Sequence, residues 1–204
     1  MTNNKINTVN NITYKMNPSY FPFLKEIEQE CVCFEKYFST ATSTLMTLAD
    51  IYYGGLEQYE QCESLAYIPR DYHYASSLFD DLKMRGYRTG LFVYPDGNDR
   101  DTAEERHIAG FQNEMILKAD YHEYLAAAEE IVEEQPFALA LCNYVSNFAY
   151  NRNADVTEKM TGRGCWEAGF KALDRSVKDI FEILKRKNVL ENTTIILYGD
   201  HGDD

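Results

Sequence analysis

The sequence predicts an α/β domain with a mostly parallel sheet flanked by helices. Three observations carry that expectation. Apolar runs of strand length alternate with amphipathic segments longer than ten residues, the pattern of βαβ units. Phe137-Ala138-Leu139-Ala140-Leu141-Cys142 is apolar throughout, as strands are when both faces of a sheet are covered. Trp166, Phe170, Leu173, Val177, Ile180 and Leu184 recur at helical intervals and form one stripe of a long helix.

The elements follow in order. Residues 1–16, MTNNKINTVNNITYKM, are polar and Asn-rich and are expected to form an arm ahead of a domain over 17–204. Asn17-Pro18-Ser19-Tyr20-Phe21-Pro22 is a turn with two prolines. Residues 23–30 read as a short helix with Phe23, Leu24 and Ile27 on one face. Residues 32–38 alternate well enough for a strand. Residues 39–44 are small, and all but Ala41 carry a hydroxyl; they lead into a helix over 45–53 that stops at Gly54-Gly55. Residues 74–85 form an amphipathic helix with Leu78, Leu82 and Met84 apolar, ended by Gly86.

Residues 88–94 are a buried-strand candidate, and 95–99 carry loop chemistry. Residues 102–135 read as mostly helical, most strongly over 121–135, where Ala and Glu dominate. Pro136 breaks that helix before the apolar strand 137–142. The striped helix spans 166–187 and connects through 188–193 to a strand over 194–198. Gly199-Asp200-His201-Gly202-Asp203-Asp204 follows at once.

Composition bounds the function. The chain has 204 residues, 45% hydrophobic and 26% charged, enough to bury a core. Lys and Arg number 20 against 33 Asp and Glu, a net charge of -13. That balance argues against a nucleic-acid partner, because such affinity comes largely from cationic side chains neutralising phosphates. A small anionic substrate held by a metal ion or helix ends stays compatible with it. Cys31, Cys33, Cys62, Cys142 and Cys165 are odd in number and irregularly spaced, so reduced, partly buried thiols are expected. No apolar run approaches ~18 residues, so no transmembrane segment is expected. No signal-peptide core is visible either, and the chain as written would stay in the cytosol.

Chemistry concentrates in two places. Asp200 and His201 directly follow a strand, and ligands bind at the carboxyl ends of strands in open α/β sheets. A carboxylate and an imidazole suit Mn²⁺, Zn²⁺ or a similar divalent cation, but two ligands alone do not hold one. The flanking glycines allow close backbone approach. Read alone, the hexapeptide is equally a polar turn. The hydroxyl cluster 39–44 runs into a helix start, where unsatisfied N–H groups favour anions. Read alone, it is also an ordinary Ser/Thr cap. His73, His107 and His122 sit in polar stretches and read as surface residues, and Glu129, Glu130, Glu133 and Glu134 as a solvated helix end. Neither a G-x-G-x-x-G nor a G-x-S-x-G occurs.

Together these segments resemble the sulfatase and alkaline-phosphatase superfamily, nearest to its lipoteichoic-acid synthase and phosphoglycerol or phosphoethanolamine transferase branch. Asn17 through Phe34 resembles the lead-in T-P-N-L-D-x-L-A-x-x-G-x-x-F. Thr44 to Gly54 matches the length of the nucleophile helix, C/S/T-x-P-S-R-x-x-x-x-x-G. LFDDLKMRGYRTG, Leu78 through Gly90, resembles L-x-x-x-L-K-x-x-G-Y-x-T. Leu173 through Gly202 resembles the segment that ends in S-D-H-G, and is the most specific of the four.

The resemblance implies an alkaline-phosphatase-like fold and a metal-dependent hydrolase or transferase of phosphate or sulfate esters. It places Asp200 and His201 at the metal-binding Asp-His and Thr44 at the nucleophile, where Thr44 also ligates one divalent ion (Mn, Zn, Ca or Mg). Thr is what the transferase branch uses, and neither Cys31 nor Cys33 falls in the register of a formylglycine precursor. Asn147 stands where many members have the His of H-x-P-Y, and Arg100 is the nearest cation where a G-K-W-H is absent; both are implied substrate contacts. Met46 and Leu48 replace the Pro and Arg of the nucleophile helix. The family's first acidic strand is not supplied by 1–16, and the remaining sheet strands and later His or Lys ligands are missing. The expectation is a catalytic domain truncated at both ends, the alternative an inactive fragment that only binds a metal or a partner.

Overall fold

The computed structural model describes residues 19–34, 36–39, 47, 50–52, 77–94, 115–117, 121–143 and 163–201. Three strands, β1 (Arg88–Tyr94), β2 (Met115–Leu117) and β3 (Phe137–Asn143), form one sheet in the order β2-β1-β3. Both pairings are parallel, with Leu91 opposite Met115 on one side and Ala140 on the other. The expected parallel neighbourhood of the strands at 88–94 and 137–142 is therefore present.

Side chains alternate across this sheet, and each face has its own cover. Phe92 points to the side of helix α3 (Tyr121–Glu133), where it clusters with Tyr124, Ala127 and Ile131. Phe137, Leu139 and Leu141 of β3 pack there too, with Ala168, Ala172 and Leu173 of the long helix α4 (Arg163–Arg186). Leu91 points the other way, onto Tyr52 and Phe79, with Ala138, Ala140 and Cys142 beside it. Phe79 belongs to helix α2 (Leu78–Met84) and meets Tyr52 edge-on at 5.1 Å. A continuous apolar strand is the sequence consequence of this double cover.

Helix α2 starts at a capping box: Ser77 accepts from the Asp80 N–H and the Asp80 carboxylate accepts from the Ser77 N–H. It ends as expected at Gly86, whose φ is +85°. There Gly86 N–H donates to Lys83 and Tyr87 N–H to Leu82, closing a Schellman turn. Its buried side differs from the expectation. Phe79 and Leu82 face the core, while Leu78 and Met84 stay exposed, because Tyr52 and Leu91 offer a surface only to the Phe79 side.

Helix α4 packs in two directions. Leu184, with Ile180 beside it, closes on Val132 and Val189. Phe170 and Phe181 turn the other way, to Phe21 and Phe23, and so hold helix α1 (Pro22–Ile27). Glu28–Glu30 extends α1 by a 3-10 turn, so the helix read over 23–30 is there. The side chain of Trp166 lies outside the described residues. Glu129 and Glu133 are not simply solvated: both pair with Lys187, and Arg186 also reaches Glu129. These contacts lower the Glu129 pKa and raise that of Lys187.

Three expectations are corrected. The stretch 32–38 joins no sheet among the described residues; Val32 and Phe34 are more than 80% exposed because no neighbouring strand covers them. The stretch 194–198 has no regular secondary structure and joins no hydrogen-bonded ladder among the described residues. Ile195 packs on the Val132, Leu184 and Val189 cluster while Ile196 is 76% exposed, so side chains rather than main-chain pairing hold it. Within the stretch read as helical over 102–135, Met115–Leu117 is strand β2. Among the described residues Cys31, Cys33 and Cys142 form no disulfide. No described helix is long and apolar enough to cross a membrane. The arm 1–16, the Gly54-Gly55 stop, His73 and His107 lie outside the described residues.

Candidate active site

Cys142 stands one residue before the carboxyl end of β3, and it marks where the candidate residues gather. Tyr52 packs against Cys142, and its hydroxyl is influenced by both the Cys142 thiol and the Tyr198 hydroxyl. Burial, first, and then Cys142 and Tyr198 hold the Tyr52 pKa well above the usual phenol value. Tyr198 is pushed up to about 12, chiefly by burial. This knot fastens the chain just before Gly199-Asp200-His201 to the carboxyl end of the sheet, where an α/β fold binds ligands.

Asp200 and His201 are both partly accessible, and His201 Nε2 lies 3.5 Å from Asp200 Oδ2. A Cβ added at Gly199 would meet nothing within 4 Å, so no described group fills the space beside it. Gly202 lies outside the described residues, as do Asp203 and Asp204.

Ser39, the first residue of the hydroxyl cluster, reaches the same place. Ser39 Oγ donates to the Asp200 carbonyl and lies 3.2 Å from Thr47 Oγ1. Thr47, Asp50, Ile51 and Tyr52 are helical, as read for 45–53. Thr47 is 1% exposed and Asp50 8%. Asp50 Oδ1 is buried and accepts no hydrogen bond among the described residues. Spacing alone singled out none of Ser39, Thr47 and Asp50 as a contact; the density of hydroxyls over 39–44 was the available signal.

Thr44, Arg100 and Asn147 lie outside the described residues. The described residues thus bring Asp200 and His201 together and supply two donors suited to a borderline divalent cation. Among them no cluster of three or more His, Cys, Asp or Glu could hold a metal, so Asp50 does not complete the pair. The donor chemistry fits part of a coordination sphere. A cavity of about 270 Å³ opens at the opposite end of the sheet, beside Gly86, Arg88, Glu134 and Pro136, away from this chemistry.

Comparison with curated proteins and with solved structures returned no match. The family model Sulfatase matches residues 8–204, a span that takes in strands β1–β3, helices α1–α4 and the Asp200–His201 pair. By that match the chain belongs to the sulfatase family.

Proposed function

We propose that this chain is a metal-dependent hydrolase or transferase of phosphate or sulfate esters acting through Thr44, on the lipoteichoic-acid synthase and phosphoglycerol transferase side of its family. The supporting observation is the Asp200–His201 pair at the carboxyl end of a parallel sheet, tied through Ser39 to Thr47. Thr44 precedes Thr47 by three residues in the sequence.

In this reading Asp200, His201 and Thr44 would hold one divalent cation (Mn, Zn, Ca or Mg). When bound, such an ion supplies Lewis acidity to the ester oxygens and lowers the pKa of a hydroxyl. Thr44 Oγ1 attacks the phosphorus in line. Thr44 gives up its hydroxyl proton to solvent, an O–P bond forms as the bond to the ester oxygen breaks, and the departing alkoxide takes up a proton from solvent. Water or an acceptor hydroxyl then displaces Thr44 from the phosphoryl group. Arg100 and Asn147 orient the non-bridging oxygens. Phosphate is favoured over sulfate because Thr44 is no formylglycine precursor.

The test is release of 4-nitrophenol from its phosphate and sulfate esters, with each of the four ions, by the chain and by Thr44→Ala. Ion-dependent release lost in Thr44→Ala is expected; equal release by both proteins overturns the nucleophile. One observation favours a second reading, a catalytically inactive sulfatase-like chain: among the described residues no third His, Cys, Asp or Glu joins the pair. Its signature is retained metal binding with no release in any arm.

A further inference from the structure

We infer that Ser39 is a positioning residue for the Asp200–His201 pair. The inference rests on the reading of that pair as metal ligands. A hydroxyl has one hydrogen to donate and two lone pairs to accept with. Ser39 donates its hydrogen to the Asp200 carbonyl, so at 3.2 Å the Thr47 hydroxyl is the donor to Ser39. The result is a directed chain from Thr47 O–H through Ser39 O–H to the Asp200 carbonyl, each bond polarising the next. Thr47, fully buried in a helix, is its fixed end.

The carbonyl that Ser39 holds belongs to the peptide unit joining Asp200 to His201. That unit is planar, so fixing its oxygen orients both flanking Cα atoms at once. One hydrogen bond therefore acts on the backbone of both candidate ligands. The need for it is local. Among the described residues the preceding stretch 194–198 joins no ladder, so no sheet hydrogen bonds fix the main chain. Gly199 adds backbone freedom just ahead of the pair, with open space where its Cβ would be. Ser39 supplies the restraint that strand pairing supplies elsewhere.

The experiment is a titration of the full chain with Mn²⁺, reading free Mn²⁺ by electron paramagnetic resonance, well below the metal-free melting transition of each variant. Asp200→Asn should abolish binding. Ser39→Ala should weaken it about tenfold or more, as loss of partners that orient ligands does. Ser39→Thr, which keeps the hydroxyl, should restore it, a rescue that a role in stability alone would not produce. Thr47→Val, which removes the donor to Ser39, should weaken it in the same direction. If Ser39→Ala binds as the parent does while Asp200→Asn does not bind, the positioning role is overturned and the ligand pair stands. Should Ser39→Ala fail to fold, parent-like binding by Thr47→Val overturns the role instead. Parent-like binding by Asp200→Asn overturns the ligand pair, and the Ser39 role with it.

Discussion

The carboxylate of Asp174 caps the first turn of α1 from across the chain. Its two oxygens accept the main-chain N–H groups of Phe23, at 3.0 Å, and Leu24, at 2.9 Å. Helix α1 has no side-chain cap of its own, since Phe21 stands at its N-cap. Asp174 is only 4% exposed, so these bonds are shielded from water. Removing the carboxylate strands two donors at the positive end of a helix. Asp174→Ala should cost about 2–4 kcal/mol, the range for charge-assisted bonds lost in a buried setting. Asp174→Asn should cost less. Urea denaturation checks both, and a loss near zero for Asp174→Ala would show that α1 is held by its aromatic contacts alone.

Those contacts share α4 with the opposite face, so the helix can be tested face by face. Leu184 is 4% exposed and sits in the Val132–Val189 cluster, whereas Ile180 is only half-buried beside it. Leu184→Ala should cost about 2–5 kcal/mol, transfer and cavity terms together. Ile180→Ala should cost roughly half as much, in proportion to the apolar area it hides. Equal losses would mean that the stripe read from the sequence is buried uniformly.

How much of this was legible in the sequence depends on whether a signal is local. β3 was readable because double cover makes a strand apolar over Phe137–Cys142, and β1 carries the same run from Leu91 to Tyr94. The stretch 194–198 carries the same signature, yet an apolar run reports burial and not pairing, and only Ile195 finds a core there. In α2 the apolar residues of one short helix offer two overlapping stripes. Tyr52, distant in sequence, decides for Phe79 over Leu78. β2 is three residues long, too short to show a period of two. Asp200 and His201 were visible because they are adjacent. Ser39 was one hydroxyl among several, and Asp174 one polar residue on an amphipathic helix. Both act on partners about 150 residues or more away, where pattern carries no information.

Two glycines should respond differently to the same substitution. At Gly90 an added Cβ would lie 3.0 Å from Ile131 Cγ1 and 3.1 Å from the Phe92 ring, because α3 crosses β1 closely there. Gly90→Ala should therefore cost about 1–3 kcal/mol through overpacking. Shortening the neighbour in the double variant with Ile131→Val should recover part of that loss. At Gly86 nothing stands within 4 Å, but φ is +85°. Gly86→Ala should cost about 1–2 kcal/mol, the penalty of a left-handed backbone, and Ile131→Val should not relieve it. Recovery at Gly86 but not at Gly90 would contradict the packing.

The buried tyrosines make stability fall at alkaline pH. Burial foremost, then Cys142 and Tyr198, keeps the Tyr52 hydroxyl protonated well above its usual range. Burial, then Cys142 and Tyr121, does the same for Tyr124. In the unfolded chain both titrate near pH 10. Below that value both states hold the proton, and the stabilisation is fully present. Above it the unfolded state releases a proton that the native state keeps, so ΔG of unfolding decreases with pH until the folded pKa is reached. Each of the two should contribute a fall of about 1.4 kcal/mol per pH unit once pH exceeds roughly 10. Lysines and other tyrosines also titrate there, so the informative quantity is a difference in slope between proteins. Tyr124→Phe should remove one such contribution from the slope of urea-derived stability between about pH 10 and pH 11. Tyr52→Phe should do the same. It should also lower stability at neutral pH by about 1 kcal/mol, because its hydroxyl no longer reaches Tyr198 and Cys142. Slopes unchanged in both variants would mean that these hydroxyls ionise in the folded chain as they do in the unfolded one. The knot behind Asp200 would then be open to solvent.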